Sequence, residues 1–158
     1  MGLTTISNVH GYKKTAEGVE PDEGALIYRG YSVGDLIDAS QREDRFGYEE
    51  VAYLLIAGAL PTQEQLDDFR ARIDSRRQLS ERYLRIFPRT TQSHSIMNVM
   101  QRATLLLYAF DPMADGPSPV HEVDVACSLF GRWPRIAAVA AAADAAARND
   151  ERLVVPPA

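Results

Sequence analysis

The chain has 158 residues, of which 46% are hydrophobic and 25% charged, and its net charge is −5. This length fits one domain with a sizeable buried core. The acidic balance argues against nucleic acid as a partner, because phosphate binding needs an excess of lysine and arginine. No apolar run approaches the roughly 20 residues of a membrane helix, and the N-terminus lacks the apolar segment of a secretory signal. We therefore expect a cytoplasmic protein with no membrane partner.

Cysteine and histidine give no sign of a metal centre. The single cysteine, Cys127, cannot form a disulfide within the chain. No group of cysteines and histidines has the spacing of zinc ligands. The sequence therefore predicts neither a metal nor a bound cofactor.

The segment 70–89 has a local charge of +5, in contrast to the rest of the chain. It contains seven arginines and two acidic residues: Arg70, Arg72, Arg76, Arg77, Arg82, Arg85, Arg89, Asp74 and Glu81. The favoured interpretation is a solvated helix face whose arginine stems cover apolar surface. A site for a phosphate-bearing ligand or a nucleic acid is the alternative, although only Tyr83 and Phe87 could serve as stacking platforms for bases.

The first predicted elements are two strands, at residues 4–9 and 25–29. Both are rich in β-branched and aromatic residues. The segment between them carries Gly11, Gly18, Pro21, Asp22 and Gly24, which predicts a loop. The two strands are expected to pair as a small antiparallel ribbon.

Short helices follow the ribbon. Ser32 is the predicted N-cap of the first helix. A second helix starts near Tyr48 and ends at Gly58. Thr62 and Gln65 form a predicted capping box at the start of a third helix, whose buried stripe is expected to contain Leu66, Phe69 and Ile73.

Two longer helices are predicted next, at residues 95–110 and 119–148. The first is apolar on nearly every side, which indicates a core or interface element. Ser118 and Pro119 are start signals for the second, and Pro134 is expected to bend it because proline removes an amide donor. The alanine-rich part that follows is explained equally well by helix propensity and by close packing against another helix.

The chain is therefore divided into four parts: a β ribbon and loop at 1–31, short helices at 32–89, two long interface-type helices at 95–149, and an extended tail at 150–158. The tail, with two valines and two prolines, has no predicted partner within the chain. We expect it to continue into a further segment, so that the chain is a split, truncated or incomplete form of a longer protein.

Several consecutive motifs resemble the N-terminal region of the citrate synthase family, in the family's order and spacing. They are "DEGALIYRGYSVGDLI", "RFGYEEVAYLLIAGALPTQEQLDDFRARI", "SIMNVMQRATLLLYAFD" and "SLFGRWPRIAAVAAAA". A bacterial branch with a "VHGY" turn is the most similar. The resemblance covers almost the whole chain and implies a mainly α fold, a multi-helical fragment of the family's large domain with a small N-terminal β ribbon.

The resemblance also implies an activity. Members of the family are acyltransferases of the tricarboxylic acid cycle that condense acetyl-CoA with oxaloacetate to give citrate and CoA. An aspartate removes a proton from the acetyl group while two histidines stabilise the developing charges, and arginines hold the carboxylates. The family places these residues beyond the last residue of this chain. No catalytic, substrate-binding or metal residue is therefore assigned, and acetyl-CoA enters only as the family's substrate.

The three histidines do not replace the missing residues. His10 lies in a glycine-containing turn, His94 precedes a helix, and His121 lies in the first turn of another. A surface or capping role is expected for each. The sequence contains neither a nucleophile elbow nor a glycine-rich phosphate loop.

Three hypotheses follow. In the first, the chain is the N-terminal part of a citrate synthase-like enzyme, active only when the remainder is supplied, and it forms a homodimer or binds a complementary C-terminal chain through helices 95–110 and 119–148. In the second, it is a non-catalytic interaction module that binds a protein or an anionic ligand through these helices or the arginines. In the third, it is an enzyme with a site of its own. The identity of the 2-oxo acid acceptor stays open.

Overall fold

The structure is a computed structural model, and it describes residues 4–90, 95–116, 118–149 and 154. Within these residues three β-strands precede six α-helices. The predicted mainly α class with an N-terminal β ribbon is therefore confirmed. The chain divides into two compact units, residues 1–70 and 71–158. None of the helices in the described ranges combines the length and apolar character needed to cross a bilayer.

The first unit starts with a β ribbon that is longer than predicted. β1 (Ser7–Thr15) and β2 (Gly18–Tyr28) pair antiparallel, and β3 (Tyr31–Ser32) pairs with the end of β2. The strand order is β1-β2-β3. The predicted loop between the two strands is wrong, because both strands run through it to a turn at residues 16 and 17.

Cross-strand pairing explains why glycine and proline do not break this ribbon. The register shifts between His10 and Tyr12, so Gly11 lies at an irregularity where a missing side chain is tolerated. Pro21 pairs with Tyr12. Among the described residues, β3 pairs with Ile27 and Tyr28 and does not reach Pro21. A proline without an amide donor is tolerated at such a strand edge.

A two-residue turn, Arg29–Gly30, joins β2 to β3. Both residues have positive φ angles, 47° for Arg29 and 92° for Gly30. This combination suits the right-handed twist of a tight hairpin. Glycine adopts it without strain, whereas arginine does not, so the contacts of Arg29 must hold its backbone in place.

Three helices follow the ribbon: α1 (Val33–Arg42), α2 (Tyr48–Ala57) and α3 (Gln63–Asp74). The predicted helix start at Ser32 is confirmed, although its hydroxyl makes no cap hydrogen bond. Gly58 ends α2 with a φ of 88°, as predicted. The Thr62–Gln65 capping box is confirmed in both directions, since the Thr62 N–H donates to Gln65 Oε1 at 2.9 Å and the Gln65 N–H donates to Thr62 Oγ1 at 3.3 Å.

The second unit contains α4 (Glu81–Thr90), α5 (Ile96–Tyr108) and α6 (Pro119–Asn149). Its core is a cluster of buried side chains drawn from all three helices and the segment before α4: Leu79, Tyr83, Phe87, Val99, Met100, Ala103, Ile136, Val139 and Ala140. The hydroxyl of Tyr83 donates a hydrogen bond of 2.8 Å to the Ala103 carbonyl. This bond satisfies a polar group that would otherwise be buried without a partner.

The helix α6 continues through Pro134, and the expected bend at that residue stays a prediction. One turn earlier, Gly131 permits a close approach to the last turn of α3 and the residues that follow it. A Cβ at this position would lie 2.6 Å from the Ile73 carbonyl oxygen. Predictions about His94 and about the tail at 150–158, apart from the exposed Val154, lie outside the described residues.

Candidate functional site

A cavity of about 660 Å³ lies in the second unit, against α5, α6 and the segment that connects them. This volume is within the range of small-molecule sites. Its lining includes apolar residues, among them Leu107, Phe110, Val125 and Leu129. It also includes charged or ionisable residues: Arg76, Asp111, His121, Glu122, Asp124 and Arg132.

His121 occupies a defined position in this cavity. It lies in the first turn of α6, where its backbone N–H donates to Ser118 Oγ at 3.2 Å. Its Nε2 is 2.9 Å from Asp111 Oδ2, and Asp111 Oδ1 accepts the Met113 N–H at 2.9 Å. Asp111 therefore links the segment after α5 to the start of α6.

The predicted position of His121 in the first turn of α6 is confirmed, but its side chain does more than cover a surface. Both His121 and Asp111 are half-buried. The contact between Nε2 and the Asp111 carboxyl group orients the imidazole ring. The contact spans ten residues across a loop, and no local spacing rule predicts such a pair.

An ion pair between Arg76 and Asp124 forms another part of the lining. Arg76 Nη2 lies 2.9 Å from Asp124 Oδ1 on α6, and Arg72 Nε lies 3.6 Å from the same oxygen. All three side chains are partly exposed, so each pair adds little stability but fixes the position of the arginines.

These contacts change the interpretation of the arginine-rich segment. Acidic residues from outside it, Asp67 and Asp124, pair with Arg70 and with Arg72 and Arg76, and Arg77 pairs with Asp74. The local excess of positive charge is partly neutralised as a result. This arrangement favours the predicted solvated surface over a site built for phosphate.

Cys127 is buried, one turn before Gly131 on α6. Burial raises the pKa of its thiol, and the neighbouring Arg72 and Arg76 oppose that shift only in part. A thiol with a raised pKa forms little thiolate and is a poor nucleophile. The structure therefore gives this cysteine a packing role.

The other predicted features are placed as follows. His10 is exposed on β1, in the first unit, and its Nε2 is 2.8 Å from Asn8 Nδ2. No group of histidine, cysteine and acidic residues that could hold a metal ion occurs among the residues described.

The cavity can bind and orient a ligand or a polypeptide segment, but its residues do not form a recognisable set for proton abstraction from carbon.

Comparisons with known proteins agree with the motifs of the sequence. A family model described as "Citrate synthase, C-terminal domain" matches residues 1–156. The chain is 30% identical over 138 residues to 2-methylcitrate synthase 1 of Corynebacterium glutamicum, which is 87% of this chain and 34% of that protein. It is 32% identical over 140 residues to citrate synthase 1 of Mycobacterium tuberculosis, which is 85% of this chain and 30% of that protein.

Solved structures of citrate synthases have a fold similar to that of this chain. The citrate synthase of Pyrobaculum aerophilum matches 99% of this chain and 36% of its own, with a TM-score of 0.72 and 24% identity. The Thermoplasma acidophilum citrate synthase was solved in a ternary complex with carboxymethyl coenzyme A and oxaloacetate. It matches 100% of this chain and 36% of its own, with a TM-score of 0.71 and 19% identity.

The chain spans about a third of the length of the curated relatives it matches. The correspondence to the N-terminal part of the family's large domain stays a prediction, since the description of the family model names a C-terminal domain.

Proposed function

We propose that this chain, which belongs to the citrate synthase family, supplies the helical scaffold of an acyltransferase that condenses acetyl-CoA with oxaloacetate to citrate and CoA. The chain is inactive alone in this proposal, because the resemblance assigns the catalytic histidines, aspartate and arginines to a segment outside this sequence. The remainder of the enzyme supplies them.

The observation that carries the proposal is that α5 has a buried apolar face and, opposite it, three exposed apolar side chains. Val99, Met100 and Ala103 are buried in the core of the second unit. On the opposite face Met97, Leu105 and Tyr108 are 63%, 74% and 57% exposed. Helical spacing places these three side chains on one stripe. An exposed apolar stripe of this kind marks an association surface.

α6 also carries exposed apolar side chains. Val120 is 74% exposed and Trp133 is 45% exposed. Tryptophan is enriched at the energetically important positions of interfaces. The proposed partner of both helices is a second copy of the chain, as in a homodimer, or a complementary chain that carries the catalytic residues.

The chemistry of the reaction determines which groups the remainder of the enzyme must supply. Deprotonating the acetyl group at neutral pH needs a positioned base and donors that stabilise the enolate, and the remainder of the enzyme provides these groups. The present chain holds them in place through its helices.

A second product, 2-methylcitrate, is favoured by the name of the Corynebacterium glutamicum relative. The additional methyl group of that product requires an acyl donor that is one carbon longer than acetyl-CoA, or a different 2-oxo acid. A non-catalytic module that uses the same exposed helices is the alternative from a different class.

The test measures oxaloacetate-dependent release of the CoA thiol. The chain is assayed alone and after co-expression with the portion of Mycobacterium tuberculosis citrate synthase 1 that lies outside the matched region, which is also assayed alone. Acetyl-CoA and propionyl-CoA are compared as donors. Activity only in the combination supports the proposal, and the preferred donor identifies the product. A folded, associated complex without activity favours the module, and activity of the chain alone contradicts the proposal.

A further inference from the structure

Two hydrogen-bond donors without a protein acceptor lie together in the lining of the cavity. Ser128 and Arg132 are one turn apart on α6, so their side chains are neighbours. Arg132 donates from Nε to the Gln78 carbonyl at 3.3 Å, and within the described part of the chain its two Nη groups have no acceptor. The Ser128 hydroxyl makes no hydrogen bond to the residues described either. An acceptor bound in the cavity would satisfy both side chains.

The carboxylates of the lining do not neutralise Arg132. Asp111 and Asp124 are engaged in the contacts described above, with a histidine and with two arginines. Glu122 is exposed and lies ten residues before Arg132 on α6, which is about 15 Å along the helix axis. The positive charge of Arg132 is therefore available to an anion.

Gln78 holds this positive charge in place. Its carbonyl accepts from Arg132, and its Oε1 accepts from Arg135 Nη1 at 2.8 Å. The two arginines are three residues apart on α6 and are neighbours on its surface. Two guanidinium groups fixed close to each other raise the local positive potential, which favours the binding of an anion at this end of the cavity.

The rest of the lining suits an apolar group. Leu129 and Val125 lie three and seven residues before Arg132, on the same side of α6. Leu107 and Phe110 come from α5 and from the turn that follows it. The volume of about 660 Å³ accommodates a ligand much larger than an inorganic anion. A ligand that fits the cavity therefore joins an apolar body to one anionic group.

We infer that this cavity binds an organic monocarboxylate with an apolar body, whose carboxylate accepts hydrogen bonds from the Arg132 guanidinium and the Ser128 hydroxyl. A planar guanidinium matches the two oxygens of a carboxylate, and one unpaired guanidinium balances its single charge. The apolar body packs against Phe110 and Leu129. The inference goes beyond the proposed function, because the proposed condensation does not use this cavity.

The probe is 4-phenylbutyrate, which joins a phenyl ring to a carboxylate through a flexible chain. Isothermal titration calorimetry of the full chain should give a dissociation constant of about 1 mM or lower. Two matched compounds separate the contributions of charge and apolar body. 4-Phenylbutylamine has the same body and the opposite charge, and butyrate lacks the ring. Each should bind about tenfold more weakly or worse.

Two variants test the assigned donors. Arg132→Gln removes the charge and should weaken the binding of 4-phenylbutyrate about tenfold or more, whereas Ser128→Ala should weaken it about threefold. The matched control is Arg148→Gln, the same change in the last turn of α6 and outside the cavity, which should bind like the native chain. Circular dichroism confirms that each variant is folded.

Three results overturn the inference: no detectable binding of 4-phenylbutyrate, equal affinity for the amine, or unchanged affinity of Arg132→Gln. The co-expressed enzyme is titrated in the same way. Loss of binding in that complex would assign the cavity to a segment of the remainder and would also overturn the inference. Thiol release is measured separately, so a complex that binds 4-phenylbutyrate without activity contradicts only the proposed function.

Discussion

Arg29 donates two hydrogen bonds to the carbonyl oxygen of Leu55, from Nη2 at 2.9 Å and from Nε at 3.3 Å. Leu55 lies in the last turn of α2, where carbonyl groups lack partners within the helix. The Arg29 backbone N–H also donates to the Ile6 carbonyl at 2.8 Å. One residue thus joins the ribbon to α2, and these contacts compensate for its positive φ angle.

Replacing Arg29 by alanine should destabilise the first unit by about 2 kcal/mol, because the charged hydrogen bonds are lost while the strained backbone stays. Arg29→Lys should recover only part of this loss, since lysine cannot donate in the same forked geometry. Urea unfolding followed by circular dichroism measures both. Arg42→Ala is the control, because Arg42 donates to the Asp38 carbonyl from an exposed position. Equal effects of Arg29→Ala and Arg42→Ala would contradict this account.

Gly131→Ala should destabilise the second unit by roughly 2 kcal/mol, because overpacking against backbone atoms forces them to move. The added Cβ would lie 2.6 Å from the Ile73 carbonyl oxygen and 3.3 Å from the backbone of Arg76. Gly116→Ala is the matched control, since its nearest neighbours would lie 3.9 Å away. Thermal unfolding of the two variants should show a lower midpoint only for Gly131→Ala.

The stability of the second unit should fall above about pH 9. Burial raises the pKa of Cys127 from its ordinary value of 9.0 and that of Tyr83 from 10.0. The unfolded chain therefore loses these protons at lower pH than the folded chain, and the free energy of unfolding decreases as the pH rises through this window. Urea unfolding at about pH 8 and about pH 10 measures the decrease.

Two substitutions identify the groups responsible for this pH dependence. Cys127→Ala and Tyr83→Phe each remove one titrating group, so each should show a smaller decrease between the two pH values, whatever its stability at the lower pH. Tyr83→Phe should also cost about 1 kcal/mol at neutral pH through loss of the hydrogen bond to Ala103. A decrease as steep as that of the native chain in both variants would assign the effect to other residues.

Local features of the fold follow directly from the sequence. The Thr62–Gln65 capping box and the helix end at Gly58 depend on residues within one turn, and both were predictable. The distal part of the hairpin was not, because Gly11 and Pro21 indicate a loop until their cross-strand neighbours are known. The pairs His121–Asp111 and Arg76–Asp124 join residues ten and 48 positions apart, and their geometry depends on how the helices pack.

Leu105 provides a test of the scaffold role of α5. Leu105→Lys places a charge in the exposed stripe of α5 without touching the core of the second unit. We expect the variant to fold and to lose association with the complementary chain. The matched control is Ile37→Lys on α1, which changes another exposed apolar residue, 50% accessible, outside the proposed interface.

The most direct measurement is the rate of oxaloacetate-dependent thiol release by the co-expressed enzyme that carries Leu105→Lys. We predict a loss of about tenfold or more, the effect expected from changing one central interface residue. Ile37→Lys should keep near-native activity. Full activity of Leu105→Lys, or thiol release by the native chain without its complement, would contradict the conclusion that the chain acts as a scaffold completed through α5.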